Sequence, residues 1–187
     1  MNSNMTVNTG FDILSQSIEA YVSNASSPIT DVHSIEAIKL FSSNILECIN
    51  DPKNPKFRGN LMLASLHAGL AFSNASLGLV HAMAHSLGGL MDLPHGECNA
   101  LLLEHVLDFN FSSDPIRYLK ISETMGFSDS KDKYGLINGI SKLKIKTGLT
   151  KTLKEVGVRE KDISKLTNRT MNDPCIVLTP LYQKKGM

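Results

Sequence analysis

A chain of 187 residues is long enough to bury a core without disulfide or metal staples, and it reads as one domain spanning residues 1–187. Nineteen Lys and Arg against eighteen Asp and Glu leave a formal net charge of +1, with basic residues dispersed apart from a lysine cluster between Lys142 and Lys154, which argues against a nucleic-acid partner and against a polybasic membrane patch. Tryptophan is absent and aromatics make up 6%, so the expected core is aliphatic and helical.

The predicted elements follow in order. Thr9 reads as the cap of a first helix reaching Val22, with Asp12 as its first-turn acid. Phe11, Leu14, Ile18, Tyr21 and Val22 form its buried stripe, while Asp12, Gln16 and Glu19 line up on a neighbouring face. After a polar loop at 24–29, Thr30 or Asp31 caps a second amphipathic helix that ends near Asn50. The run DPKNPKF breaks it, with Asp51 and Pro52 as a new start. From about Lys56 to Ser73 a helix rich in alanine and methionine is apolar on more than one face, which predicts a central position.

Leu77 to Asn99, LGLVHAMAHSLGGLMDLPHGECN, holds three of the six histidines. His81 and His85 stand four apart and share a helix face. Gly88 and Gly89 would each cost about 1 kcal/mol inside a helix, which predicts its end there and a turn over Leu90 to Pro94 that carries His95 back over His81. Further helices are expected at Gly96–Phe109, from Asp114 and Pro115 to Gly126, at Lys133–Lys146, within Thr147–Gly157 and at Glu160–Met171. Helix alternates with short loop, without period-two alternation or internal repeat, and the fold class is all-α. No βαβ pattern or glycine-rich phosphate loop is present to hold a dinucleotide.

Three cysteines, Cys48, Cys98 and Cys175, form no CxxC pair and suggest neither a disulfide framework nor a cysteine zinc site, so a reducing cytoplasm fits. No apolar run is long enough to span a bilayer, and MNSNMTVNTG lacks the order of a signal peptide, so a soluble, untargeted chain without a membrane partner is expected.

Imidazoles and a carboxylate converging from separate helices suit a divalent transition metal, and Asp12, His81 and His95 are such a set, with Gln16 facing the same way. From spacing alone a second reading stands beside it, in which Asp12 caps its helix and His81 is a satisfied core histidine. His33, His67 and His105 read as isolated structural or surface groups.

The segments TGFDILSQSIEAYVS, ASLHAGLAFSNASLGLVHAMAHSLGG, LPHGECNALLLEHVLDFN, GLTKTLKEVGVREKDISKL and NDPC, in that order, resemble the helical C-terminal domain of the iron-containing (group III) alcohol dehydrogenases. The resemblance implies a dehydroquinate synthase-like helical bundle, one half of a two-domain enzyme whose N-terminal domain holds NAD or NADP. The helical half holds a divalent metal, usually iron and sometimes zinc. The family's ligand pattern falls on Asp12, Gln16, His81 and His95, and its histidine beside substrate and nicotinamide falls on His85. Gln16 stands where a histidine is expected, which predicts weaker metal affinity, a changed metal preference, contact only through water, or an empty site. The nucleotide-binding domain is not within this chain, and LTPLYQKKGM stops where the family adds a final helix.

The implied reaction is hydride transfer between a nicotinamide and a small alcohol or aldehyde, with little turnover from this polypeptide alone. The implied partners are that substrate and the nucleotide-binding domain, with a homo-oligomer allowed. One alternative is a non-catalytic helical fragment or interaction module with a degenerate metal site. Another, ranked below it, is a metal-dependent hydrolase using Glu19 or Glu97 as base, although each reads more simply as a solvated or capping group.

Overall fold

The computed structural model describes residues 1–127 and 132–181. Among them the chain forms helices α1 (Ser3–Val22), α2 (Pro28–Asn50), α3 (Pro55–Ala75), α4 (Leu79–Met91), α5 (His95–Asn110), α6 (Pro115–Thr124), α7 (Lys133–Thr147) and α8 (Glu160–Met171), with no strand. Short 3-10 turns cover Phe111–Ser113 and Pro174–Leu178. The all-α class is as expected from the periodicity. No single described helix is long and apolar enough to cross a membrane.

α1 starts earlier than Thr9 predicts. Asn2 is its cap, accepting the Met5 amide at 2.8 Å, and the Thr9 hydroxyl instead donates to the Met5 carbonyl one turn back. Asp12 therefore lies in the middle of a helix, not in its first turn, and its reading as a cap is overturned. α2 starts at Pro28, and its cap is Ser27, three residues before Thr30, because Ser27 and Thr30 form a reciprocal capping box. α3 begins at Pro55 after Asn54, beyond the Asp51–Pro52 start.

The central position expected for α3 is also corrected. Its buried positions are Leu61, Ala64, Ala68, Ala71 and Ala75, a small-residue stripe that lets the helix lie close against α1 and α2. Met62, Leu63, Leu66 and Leu70 face outward, so the helix is peripheral. Gly88 and Gly89 do not end α4 but lie inside it. The helix runs to Met91 and stops where Asp92 takes the left-handed conformation at φ 56°. Burial of Val80, Ala84 and Leu87 along that helix outweighs the modest glycine penalty. Within Thr147–Gly157 no helix forms; residues 153–157 are a turn, opened by reciprocal bonds between Thr152 and Glu155. The last part of LTPLYQKKGM, residues 182–187, lies outside the described residues, and with it the expected lack of a final helix.

α1 is the axis of the core. Phe11, Leu14 and Ile18 are buried against Ile38, Phe41 and Ile45 of α2, and on the other side against α5, which buries Leu102, Leu103 and Val106. Phe11 meets Phe41 edge to face, ring centroids 5.9 Å apart. Gly96 sets how closely α5 approaches α1: a Cβ there would fall 1.9 Å from the Asn8 carbonyl oxygen, and neither backbone can yield alone. Gly96→Ala is expected to cost at least the roughly 1–3 kcal/mol of an overpacked core, since the obstacle is main chain. Denaturant unfolding checks it, and a loss below about 0.5 kcal/mol, the scale of a neutral surface change, would refute the close-approach account.

Candidate metal centre

Three elements bring the polar row of α1 together with the histidines. α1 presents Asp12, Gln16 and Glu19; α4 presents His81 and His85; α5 begins at His95. Glu19 is buried and serves as the cap that α4 lacks. The residue before α4, Gly78, has no side chain to do so, and the Glu19 carboxylate accepts the amides of Gly78 at 2.9 Å and Val80 at 2.5 Å, with a longer 3.4 Å contact from the His81 amide. A Cβ on Gly78 would stand 3.0 Å from Glu19 Oε1, so a glycine there keeps the approach open.

The same carboxylate takes the His81 ring, with Oε2 2.6 Å from Nδ1. In the neutral ring a carboxylate there makes Nδ1 the donor and leaves the lone pair on Nε2, the nitrogen that faces Asp12 Oδ1 at 3.4 Å. His95 Nε2 lies 3.3 Å from the same oxygen. One donor atom from each of Asp12, His81 and His95 falls within 4.8 Å of the other two. His81 is 1% exposed and His95 is 41% exposed, so the set has a buried floor and an open side.

Burial alone would depress the basicity of His81, but hydrogen bonds to Asp12 and Glu19 outweigh it and push its pKa up to about 9. Burial acts to raise that of Asp12, and the hydrogen bonds from His81 and His95 override it, holding the carboxyl far below the usual carboxylate range. In the metal-free protein a proton thus sits where a cation could.

The expected ligand Gln16 is placed differently from the other three. Its Nε2 donates to Asp12 Oδ2 at 2.9 Å, turning an amide hydrogen toward the carboxylate. Asn99, one turn after His95, was not singled out from the sequence; its only signal there was the i+4 spacing. Its Nδ2 lies 2.8 Å from Asp12 Oδ1 and 3.3 Å from Nε2 of both His81 and His95, while its Oδ1 is buried without a partner. Turning this amide over exchanges the two atoms and offers an oxygen at the same point. Two imidazole nitrogens and a carboxylate, a fixed tautomer and that orphaned amide oxygen suit a divalent transition ion.

His85 stands at the mouth. Its ring stacks on His95 with centroids 5.3 Å apart and an 18° tilt, and its Nδ1 meets Asp173 Oδ2 at 2.9 Å. With Nδ1 so engaged, Nε2 is the nitrogen left for other partners. Glu97 pairs with Lys151 at 2.9 Å, and Glu19 is held by α4 and His81, so neither is positioned as a water-activating base. The solvated reading of Glu19 is corrected; its capping reading holds, across two helices. His33 and His67 are not isolated, since their Nδ1 atoms meet at 2.9 Å between α2 and α3. Cys48 and Cys98 are buried free thiols, and Cys175 is a half-buried one.

With this geometry in view, the C-terminal profile of the Fe-containing alcohol dehydrogenase family matches residues 6–185. The chain is 40% identical over 174 residues to the 1,3-propanediol dehydrogenase of Citrobacter freundii, covering 90% of this chain and 45% of the relative. It is 39% identical over 182 residues to alcohol dehydrogenase 4 of Saccharomyces cerevisiae, covering 97% and 48%. Among solved structures, a 1,3-propanediol oxidoreductase superposes with a TM-score of 0.93 at 36% identity, covering 96% of this chain and 48% of that one. The chain thus spans about half the length of the curated relatives it matches.

Proposed function

The chain belongs to the iron-containing alcohol dehydrogenase family, and from that premise we propose that it is the metal-binding, substrate-side domain of an NAD(P)-dependent alcohol dehydrogenase or aldehyde reductase. Its cofactor-binding partner is a nucleotide-binding domain of the kind that makes up the family's other half, and its substrate is a small alcohol or aldehyde. Its free thiols fit a reducing cytoplasm. The observation that carries the reading is the convergence of Asp12 Oδ1 with Nε2 of His81 and His95, backed by Glu19.

A divalent ion held by Asp12, His81 and His95, iron by family type or zinc, supplies Lewis-acid polarisation of the substrate oxygen. The chain's own residues supply the rest. Glu19 fixes the His81 tautomer and orientation. Asp12 supplies the negative charge that lowers the cost of holding a cation in a partly buried site. Gln16 acts on the ion through Asp12, holding the carboxylate by its second oxygen. Asp173 holds His85 by Nδ1, so that His85 Nε2 is the group placed to relay a proton or to wall the nicotinamide.

The test is direct. After reconstitution with iron or zinc, anomalous scattering is expected to locate an ion among Asp12, His81 and His95, with Gln16 outside ligand distance. The polypeptide is expected to turn over NADH or NADPH with small aldehydes only when a nucleotide-binding domain is supplied in trans. Absence of any ion at those three residues would overturn the metal assignment; robust turnover by the chain alone would overturn its role as a half-enzyme. The second reading, a non-catalytic helical module, is favoured by the amide donor at Gln16 and gains if reconstitution yields an ion but no turnover with that domain present.

A further inference from the structure

Beyond the set around Asp12 lies a second convergence of donor atoms that the sequence pattern did not suggest. α8 ends at Met171, and Asp173 then caps the 3-10 turn Pro174–Leu178 by accepting the Cys175 amide on Oδ1 at 2.9 Å. This fold-back sets the Cys175 side chain beside the Asp173 carboxylate, whose other oxygen, Oδ2, meets His85 Nδ1 at 2.9 Å from the middle of α4. One imidazole nitrogen, one carboxylate oxygen and one thiol sulfur fall within 4.8 Å of one another, and none belongs to Asp12, His81 or His95.

We propose that His85, Asp173 and Cys175 form a separate binding site for a zinc-class divalent cation. The donor set decides the class of ion. A thiolate with an imidazole selects zinc-like cations over magnesium or calcium, which prefer all-oxygen shells, and three protein ligands leave a fourth position open. The charges balance as well. The cation displaces the thiol proton of Cys175 to solvent, and the His85 proton moves from Nδ1 to Nε2, freeing the Nδ1 lone pair. A dication with one thiolate and one carboxylate is then neutral. Two of the ligands are anchored: His85 rides on a helix whose N-terminus Glu19 holds, and Asp173 is fixed by its capping bond. Occupancy would tie the exposed His85 ring, 43% accessible, to the turn after α8 and so couple the last described segment to the mouth of the Asp12 centre.

Spacing could not reveal this site, because His85 lies 88 residues before Asp173 and Cys175 has no cysteine partner nearby. The site shares His85 and Asp173 with the proposed dehydrogenase reading but none of the Asp12, His81 and His95 donors, so a test that reads sulfur ligation separates the two. Cobalt(II) is titrated into the metal-free chain while the thiolate-to-cobalt charge-transfer absorption is followed; Asp12, His81 and His95 cannot produce this band, having no sulfur. The expected result is a saturable band that Cys175→Ser abolishes, that His85→Ala weakens by at least tenfold in affinity, and that Asp12→Asn leaves intact. Zinc is expected to slow alkylation of Cys175 by a maleimide at least tenfold, mapped by mass spectrometry on the unmodified sequence, so the proposal stays testable should Cys175→Ser misfold. No band at saturating cobalt, a band that survives Cys175→Ser in a folded chain, or unprotected Cys175 alkylation would each overturn it.

Discussion

Glu19→Ala is expected to destabilise the metal-free chain by about 3–5 kcal/mol, the range for removing one partner of a buried charged pair. The side chain is 5% exposed and sits between two helices, so water does not replace it. Its loss orphans the amides of Gly78 and Val80, which start a helix with no other cap, and strips His81 of the group that holds Nδ1. For a chain of this size each kcal/mol lowers Tm by about 2–4 °C, so the shift is readily measured. Glu19→Gln is expected to rescue little. Both carboxylate oxygens accept N–H groups, and an amide must turn its own NH2 toward one set of donors. Where either variant stays folded, metal affinity at the Asp12 centre is expected to fall by about 10–100-fold, the usual effect of losing an outer-shell partner. Stability within about 0.5 kcal/mol of the parent, together with unchanged metal affinity, would refute the role assigned to Glu19.

Glu19 also marks where sequence reading ran short. The row Asp12, Gln16, Glu19 was legible from a spacing of four and three, as was the shared face of His81 and His85. What periodicity cannot supply is which neighbour the row meets. Glu19 reads as a charged residue at a helix surface, and only the packing of α4 across α1 turns it into a buried cap. The all-α class and the extent of α8 followed from amphipathic pattern and caps, because those signals are local. The end of α4 and the position of α3 did not, because both depend on which face is covered: glycines persist in a helix whose other residues are well buried, and apolar side chains on α3 stay outside when alanines make the closer contact. His33 and His67 looked isolated for the same reason, being 34 residues apart in the chain and 2.9 Å apart in space.

Asp12→Asn isolates the charge of the first centre from its shape. In the metal-free protein the folded pKa of His81, about 9, lies above the ordinary 6.5, so the stability its protonation contributes is fully present below pH 6.5 and is lost as pH rises toward 9. Asp12 works in the opposite sense. Its folded pKa is depressed below 3.8, so its contribution is present above that pH and is lost as the solution is made more acidic. The apo chain should therefore draw most from this cluster between pH 3.8 and 6.5. Replacing the carboxylate with an amide leaves His81 only Glu19 as an anionic partner and lowers its folded pKa, so the alkaline loss of stability, which still starts near pH 6.5, is expected to be complete at lower pH and to be smaller. A divalent ion must displace the His81 proton to reach Nε2, so parent-chain affinity is expected to rise with pH up to about 9. In Asp12→Asn the proton leaves more easily, yet the cation loses its one anionic ligand. The second effect is expected to dominate, because in the proposed set Asp12 is a direct ligand, and affinity should then fall by more than the roughly 10–100-fold of an outer-shell change. Isothermal titration at several pH values, paired with thermal melts of the metal-free protein, reads both effects. Parent-like affinity in a folded Asp12→Asn chain would remove Asp12 from the ligand set, and an unchanged alkaline melting profile would show that Asp12 does not hold the His81 proton.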